Sequence, residues 1–220
     1  MRRKISTGHE MMAVINELGF LPLLDGGVAG FSAEEMVDPE CRYVATADGW
    51  DWPLWKWKGP IITEGNCVYG KFFAGKAGFV SKQWWPDWCN WRRSTKPAPA
   101  AGSIEETILF TLQEHGSLIT RELRALCGFS GGKMRSRFDS YVTRLQMQCR
   151  IITEDFIYPR DRHGREYGWG WSLLTTPERL LGKELCECNN TPEQSRTLVA
   201  EHLHHILPNA SKAQIDRIIG

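Results

Sequence analysis

Eight of the ten tryptophans fall within about forty residues: Trp50, Trp52, Trp55, Trp57, Trp84, Trp85, Trp88 and Trp91. Indole rings offer flat faces on which a nucleic-acid base stacks. Lys56, Lys58, Lys71, Arg92 and Arg93 lie among them, and cations there would edge a pocket for a base turned out of its stack. On this reading the pocket draws on Trp52, Trp55, Trp57, Tyr69, Lys71 and Arg92. Asp51, Glu64 and Asp87 share the neighbourhood. A carboxylate can steady the sugar cation left by a departing base, or activate water, so these three are the catalytic candidates by position. The competing reading is structural: bulky aromatics hold a small domain together, and the carboxylates are surface or capping groups.

A second constellation is basic. Lys133, Arg137, Ser140 and Arg144 recur on one stripe of a helix, with Arg135 and Arg150 on its other flank, and Asp139 is the only acidic residue between Lys133 and Arg150. Arg160, Arg162, His163 and Arg165 follow in a turn, offset by Asp161 and Glu166. Lys133, Arg135, Arg137, Arg144, Arg160, Arg162 and Arg165 could together follow a phosphate backbone and release its counterions. The alternative is a solvated polar face used for protein contact.

The elements that carry these residues can be read from spacing. Ser103-Ile104-Glu105-Glu106 has the form of a capping box, and Ile104, Ile108, Leu109 and Leu112 continue at helical period up to Gly116. Thr120 is placed to cap a second helix, which stops at Gly128. A third helix, from about Gly131 to Cys149, turns Met134, Phe138, Tyr141, Leu145 and Cys149 inward. Two β-rich runs, Ile151 to Tyr158 and Tyr167 to Leu174, then flank Asp161-Arg162-His163-Gly164. Three helices and a hairpin is the order of a winged helix-turn-helix, whose third helix usually enters the major groove. Earlier in the chain, Gly8 to Leu18 and Phe31 to Val37 read as short helices. Trp52 to Lys58 alternates as an extended segment, Cys67 to Phe73 and Ala77 to Ser81 read as a hairpin, and Trp84 to Arg93 returns to a helical pattern. Ser94 to Gly102 is linker-like. The expected division is 1–96, a Trp-rich α+β domain; 103–177, the winged helix; and 178–220, a helical segment with starts at Thr191 and Ser211 that packs back on one of the other two.

At 220 residues and a formal net charge of +1, any pull toward nucleic acid must come from local patches. No signal-peptide or membrane-spanning run is present, so no membrane partner is expected. Seven scattered cysteines suit a reduced, cytoplasmic protein. His202, His204, His205 and Cys186-Glu187-Cys188 lack the paired spacing of zinc ligands, and neither a metal nor a cofactor is expected. P-loop, dinucleotide and Gly-x-Ser-x-Gly signatures are absent.

Trp52-Pro53-x-Trp55-x-Trp57-Lys58, Tyr69-Gly70-Lys71-Phe72-Phe73, Lys76-Ala77-Gly78-Phe79-Val80-Ser81 and Asn90-x-Arg92-Arg93 resemble the bacterial AlkZ-related family, as do Leu145-Gln146-Met147, Tyr167-Gly168-Trp169 and Thr176-Pro177-Glu178. The resemblance runs from about Leu18 to the last helices. It implies kinship with the AlkZ and YcaQ DNA glycosylases, which unhook interstrand crosslinks, and hence an α+β chain of winged helices in tandem. Those enzymes carry a Gln-x-Gln or Gln-x-Asp pair on a β-hairpin near the start of the chain, where both side chains point the same way. No such pair occurs before residue 100, and the string Gln146-Met147-Gln148 lies late in the third helix. Residues two apart on a helix diverge by about 200° and cannot converge on one base. The expectation is therefore a winged-helix protein of double-stranded DNA, in repair or damage recognition. An active glycosylase on alkylated or crosslinked bases, and a protein-interaction adaptor, are the alternatives.

Overall fold

The computed structural model describes residues 4–46, 49–129 and 135–220, with Arg135 described by its backbone alone. Lys133 and Met134 lie outside the described residues. The chain is α+β.

Helix α1 (Gly8–Leu18) starts where Thr7 Oγ1 accepts the Glu10 N–H at 3.1 Å, and buries Met11, Ile15 and Leu18. It stops at Gly19, at φ +75°, where a β-carbon would meet the Trp84 ring at 2.4 Å. Only glycine serves there, because the helix turns and an indole lies against the backbone at the same point. Strand β1 (Phe20–Pro22) follows, then the short helices α2 (Ala33–Met36) and α3 (Pro39–Arg42). Strands β2 (Val44–Thr46) and β3 (Gly49–Asp51) pair antiparallel as a small separate ribbon.

Helix α4 (Pro53–Glu64) corrects the expectation of an extended Trp52–Lys58 segment. Pro53 is suited to a first helical turn. The buried positions are Leu54, Lys58, Gly59, Ile61 and Ile62, at helical spacing. Strands β4 (Cys67–Phe73) and β5 (Lys76–Ser81) form the expected hairpin. Its two-residue turn, Ala74 and Gly75, holds both φ angles positive at 50° and 80°, which suits the twist of antiparallel strands. Helix α5 (Trp85–Ser94) buries Trp85, Trp88, Cys89 and Arg92.

Beyond the linker, α6 (Ile104–His115) is capped by Ser103, whose Oγ accepts the Glu106 N–H at 3.2 Å. The Glu106 carboxylate takes the Gly102 N–H instead of that of Ser103. Strand β6 (Leu118–Ile119) leads into α7 (Thr120–Leu126). Thr120 does not cap α7; its hydroxyl donates to the Ser172 carbonyl at 3.2 Å, tying β6 to the hairpin. Helix α8 (Arg135–Met147), strand β7 (Ile152–Ile157) and strand β8 (Trp171–Thr175) complete that unit. Helix α9 (Pro177–Leu181), a 3-10 turn at Glu184–Cys186, α10 (Pro192–Ile206) and α11 (Lys212–Ile219) end the chain. Reciprocal capping boxes, Thr191 with Gln194 and Ser211 with Gln214, start the last two helices.

One six-stranded sheet, in the order β1-β5-β4-β7-β8-β6, runs through both halves. Its join is the antiparallel pairing of β4 with β7 at Tyr69 and Thr153. Two apolar clusters sit on it. The larger gathers α1, α4, α5 and the strands between them, and takes in Cys149, Ile152 and Phe156. Val199, Leu203, Ile215, Ile218 and Ile219 belong to it too, so the C-terminal helices pack on the N-terminal half. The smaller gathers Ile108, Leu112, Leu123, Phe138, Val142, Leu145 and Leu174. Polar ties reinforce the join: Arg93 donates to the Cys149 carbonyl at 2.8 and 3.2 Å and meets Glu178 at 2.5 Å. No helix among the described residues is long and apolar enough to cross a membrane.

Candidate functional site: an aromatic pocket roofed by the hairpin

Trp52 and Trp55 lie three residues apart at the start of α4, so their rings share one side. They stack at 5.4 Å between centroids and 18° between planes. Trp169 reaches them from the β7–β8 connection, edge-on to Trp52 at 6.2 Å and to Trp55 at 5.3 Å. The Trp55 indole N–H donates to the Trp169 carbonyl at 2.9 Å. Gly168 and Gly170, at φ +75° and +71°, bracket Trp169, and a β-carbon on Gly170 would meet the Tyr158 ring at 3.0 Å. These glycines let the connection fold flat against Tyr158 and present one indole across the gap. The resulting open pocket of about 270 Å³ is lined by Trp50, Asp51, Trp52, Trp55, Lys56, Tyr158, Gly168 and Trp169. That is near the lower end of ligand sites, about 300–1,000 Å³, a size for one planar group. Trp50 and Trp169 remain 76% and 64% exposed, so their stacking faces are not consumed by the core.

Asp51 stands at the rim, accepting the Trp52 N–H at 2.8 Å and pairing with Lys56 at 2.7 Å. Of the three carboxylate candidates it alone joins the pocket. Glu64 is an exposed residue at the far end of α4. Asp87 begins α5 and accepts from Ser195, Asn190 and Cys188 at 2.7, 2.9 and 3.3 Å, an anchor for α10.

Beneath Trp55 lies Lys58, completely buried. Its Nζ sits 3.3 Å from the ring centroids of both Trp55 and Phe156, and has no hydrogen-bond partner among the described residues. Burial pushes this amine down from 10.5 to about 7.

The remaining expected pocket residues lie elsewhere. Trp57 is half-buried against Gly8 at the start of α1. Tyr69 is a core residue between Phe79 and Phe156, its phenol pushed up by burial. The Lys71 ammonium reaches Thr143 on α8 at 3.2 Å. Arg92 is 4% exposed; its guanidinium donates to the Phe72 and Ile218 carbonyls and lies over Trp88. A cation sealed under three elements cannot edge an open pocket. Conversely, nothing in local spacing assigned Tyr158 or Trp169 to the site; the one available signal was an indole bracketed by glycines in a hairpin.

The basic residues occupy two places. At the hairpin tip, the Asp161 carboxylate collects the backbone N–H groups of His163 and Arg165 and the Arg165 side chain. These bonds, the Arg165 N–H foremost, hold it below the usual carboxylate range. Arg160 pairs with Glu166 at 3.2 Å, and Arg162 Nε lies 3.0 Å from His163 Nε2. All three arginines are exposed. On α8, Arg137, Ser140, Tyr141 and Arg144 line a shallow depression. Arg144 pairs with Glu105 at 2.8 Å and lies over Tyr141. Exposed pairs of this kind contribute roughly 0–1 kcal/mol, so they do not lock the arginines away from a polyanion. Lys133 lies outside the described residues, and only the backbone of Arg135 is described.

Gln146 and Gln148 sit at the end of α8, and the Gln148 N–H still bonds the Arg144 carbonyl at 3.0 Å. Gln146 is buried, its Oε1 accepting the Lys71 N–H at 2.7 Å. His202 stacks on Trp84 at 4.3 Å and bonds the Leu18 carbonyl at 2.8 Å.

A family model described as AlkZ related matches residues 5–220 of the chain. No curated protein and no solved structure matches it.

Proposed function

The chain belongs to the AlkZ-related family, and from that premise we propose that it is a winged-helix DNA-binding protein acting in DNA repair or damage recognition. The family ties it to glycosylase-like repair proteins. The winged helix is the run from α6 to β8, with α8 as recognition helix and the β7–β8 connection as wing. Arg137 and Arg144 on α8, with Lys133 and Arg135 before them, contact the groove or its phosphates. Arg160, Arg162 and Arg165 follow the backbone from the wing tip. One observation carries the reading: Trp169, four residues beyond the basic tip, closes on Trp52 and Trp55. A duplex held by the wing therefore has the aromatic pocket beside it, and a base displaced from the stack would meet these indoles at about 1–3 kcal/mol per stacked base. Double-stranded DNA is the partner.

Gel-shift titration against salt tests this. Binding should weaken steeply as salt rises. Arg137→Ala or Arg162→Ala should lower affinity for all sequences and reduce the salt slope by about 1 for each phosphate no longer neutralised. Absence of a shift at low salt, or one indifferent to both changes, refutes it.

A second reading is favoured by the position of Asp51. A carboxylate at the mouth of an aromatic pocket is placed to stabilise the sugar cation of a departing base, which would make the chain an active glycosylase without the Gln-x-Gln pair. Alkylated or crosslinked duplex should then acquire abasic sites with the native chain and not with Asp51→Asn.

A further inference from the structure

Lys58 serves no purpose in packing that a methionine would not serve better. It occupies a core position of α4, between Leu54 and Ile61 and Ile62. Its amine has been taken out of water without a hydrogen-bond acceptor among the described residues, and such a group calls for an explanation. Two aromatic faces offset part of the cost. The charged and titratable groups around it are otherwise engaged. Asp51, at the end of β3, and Lys56, on α4, pair with each other. On and beyond β7, Asp155 accepts the Phe156 N–H at 2.7 Å, and burial raises the Tyr158 phenol. The amine is also close to the pocket: Trp55 covers it and is itself a pocket wall. The Trp55 indole N–H is tethered only to the Trp169 carbonyl among the described residues.

We propose that Lys58 is an amine nucleophile for an aldehyde, namely the C1′ aldehyde of a ring-opened, base-less deoxyribose lodged in the aromatic pocket. This rests on the DNA reading above and goes beyond binding. A sugar entering beside Trp169 releases the tether, Trp55 swings away, and Nζ meets the carbonyl carbon. The neutral amine adds its lone pair to C1′, and a proton passes from nitrogen to oxygen to give a carbinolamine. The hydroxyl takes a further proton from solvent and leaves as water, the nitrogen lone pair closing the double bond, which gives the protonated imine. Water restores aldehyde and amine, so no external oxidant or reductant takes part. The low affinity of the buried amine for protons supplies the neutral form near neutral pH.

The test is covalent trapping. Duplex carrying a single abasic site is incubated with the full chain and sodium borohydride, which reduces the imine to a stable secondary amine; the adduct is mapped by peptide mass spectrometry, and binding of the same duplex is followed in parallel by gel shift. The expected result is one adduct at Lys58, with a trapping rate that climbs through pH 7 and then levels off. Lys58→Met and Lys58→Arg should each abolish it while retaining the gel shift and a cooperative melt. Binding without an adduct, or an adduct mapped to another amine, overturns the inference and leaves the DNA reading intact. Absence of any gel shift removes the DNA reading, and this inference with it.

Discussion

Replacing Lys58 by methionine should stabilise the protein, and by an amount that depends on pH. A fall of the amine from 10.5 to about 7 corresponds to a burial cost of at most about 5 kcal/mol. Attraction to the Trp55 and Phe156 rings returns roughly 1–2 kcal/mol. Methionine fills a similar volume without a charge. A gain of about 2–4 kcal/mol at pH 7 follows, or a rise in Tm of roughly 5–10 °C for a chain of this length. The sign is fixed by linkage. Below pH 7 both folded and unfolded chains hold the proton, and the full cost is present. Between pH 7 and 10.5 the unfolded chain binds more protons, so native stability climbs relative to the variant by up to about 1.4 kcal/mol per pH unit. Urea unfolding of both proteins from pH 6 to 9.5 measures the difference. A gap that stays constant over that range, or a variant less stable than the native chain at pH 7, would show that the amine is solvated or partnered and sink the argument.

Trp169→Ala should open the aromatic pocket: Trp55 loses its edge-on partner, and affinity for duplex with an unpaired base should drop about 5- to 100-fold, with fully paired duplex little changed. Titration of the two duplexes side by side checks this, and equal losses on both would place Trp169 outside the site. Arg92→Met should cost about 2–4 kcal/mol in urea unfolding, because the Phe72 and Ile218 carbonyls lose a charged donor inside the protein. Gln146→Leu leaves the Lys71 N–H without its acceptor and should cost about 1–2 kcal/mol, with the amide exchange of Lys71 accelerated.

Where sequence reading succeeded, the signal was local. Ser103 with Glu106 announces α6, Thr191 with Gln194 announces α10, and the β4–β5 hairpin follows from its turn and its apolar runs. Trp52 to Lys58 misled for a physical reason. Tryptophans at every second or third position imitate a strand, while the true helical period, Leu54-Lys58-Ile61-Ile62, is hidden because a lysine holds one of its core positions. Arg92 misled in the same way, being a cation at core spacing on α5 with Trp85, Trp88 and Cys89. Trp52, Trp55 and Asp51 were legible as site residues because they are neighbours in sequence. Trp169 meets Trp55 across 114 positions, and no periodicity reports a contact of that kind. Tyr69 and Lys71 belong to a strand that lies inside the sheet, where their neighbours are set by register with β5 and β7.

The alanine-proline linker is not what keeps the two halves together. Tyr69 beside Thr153, Gln146 on Lys71 and Arg93 on Cys149 stitch them through the sheet and its flanks. A chain nicked within residues 95–102 would thus persist as a single particle. The β7–β8 connection cannot swing as an independent arm: force applied at its tip is delivered along β7 into the strands beneath the tryptophans, so loading the tip and reshaping the pocket are mechanically one act.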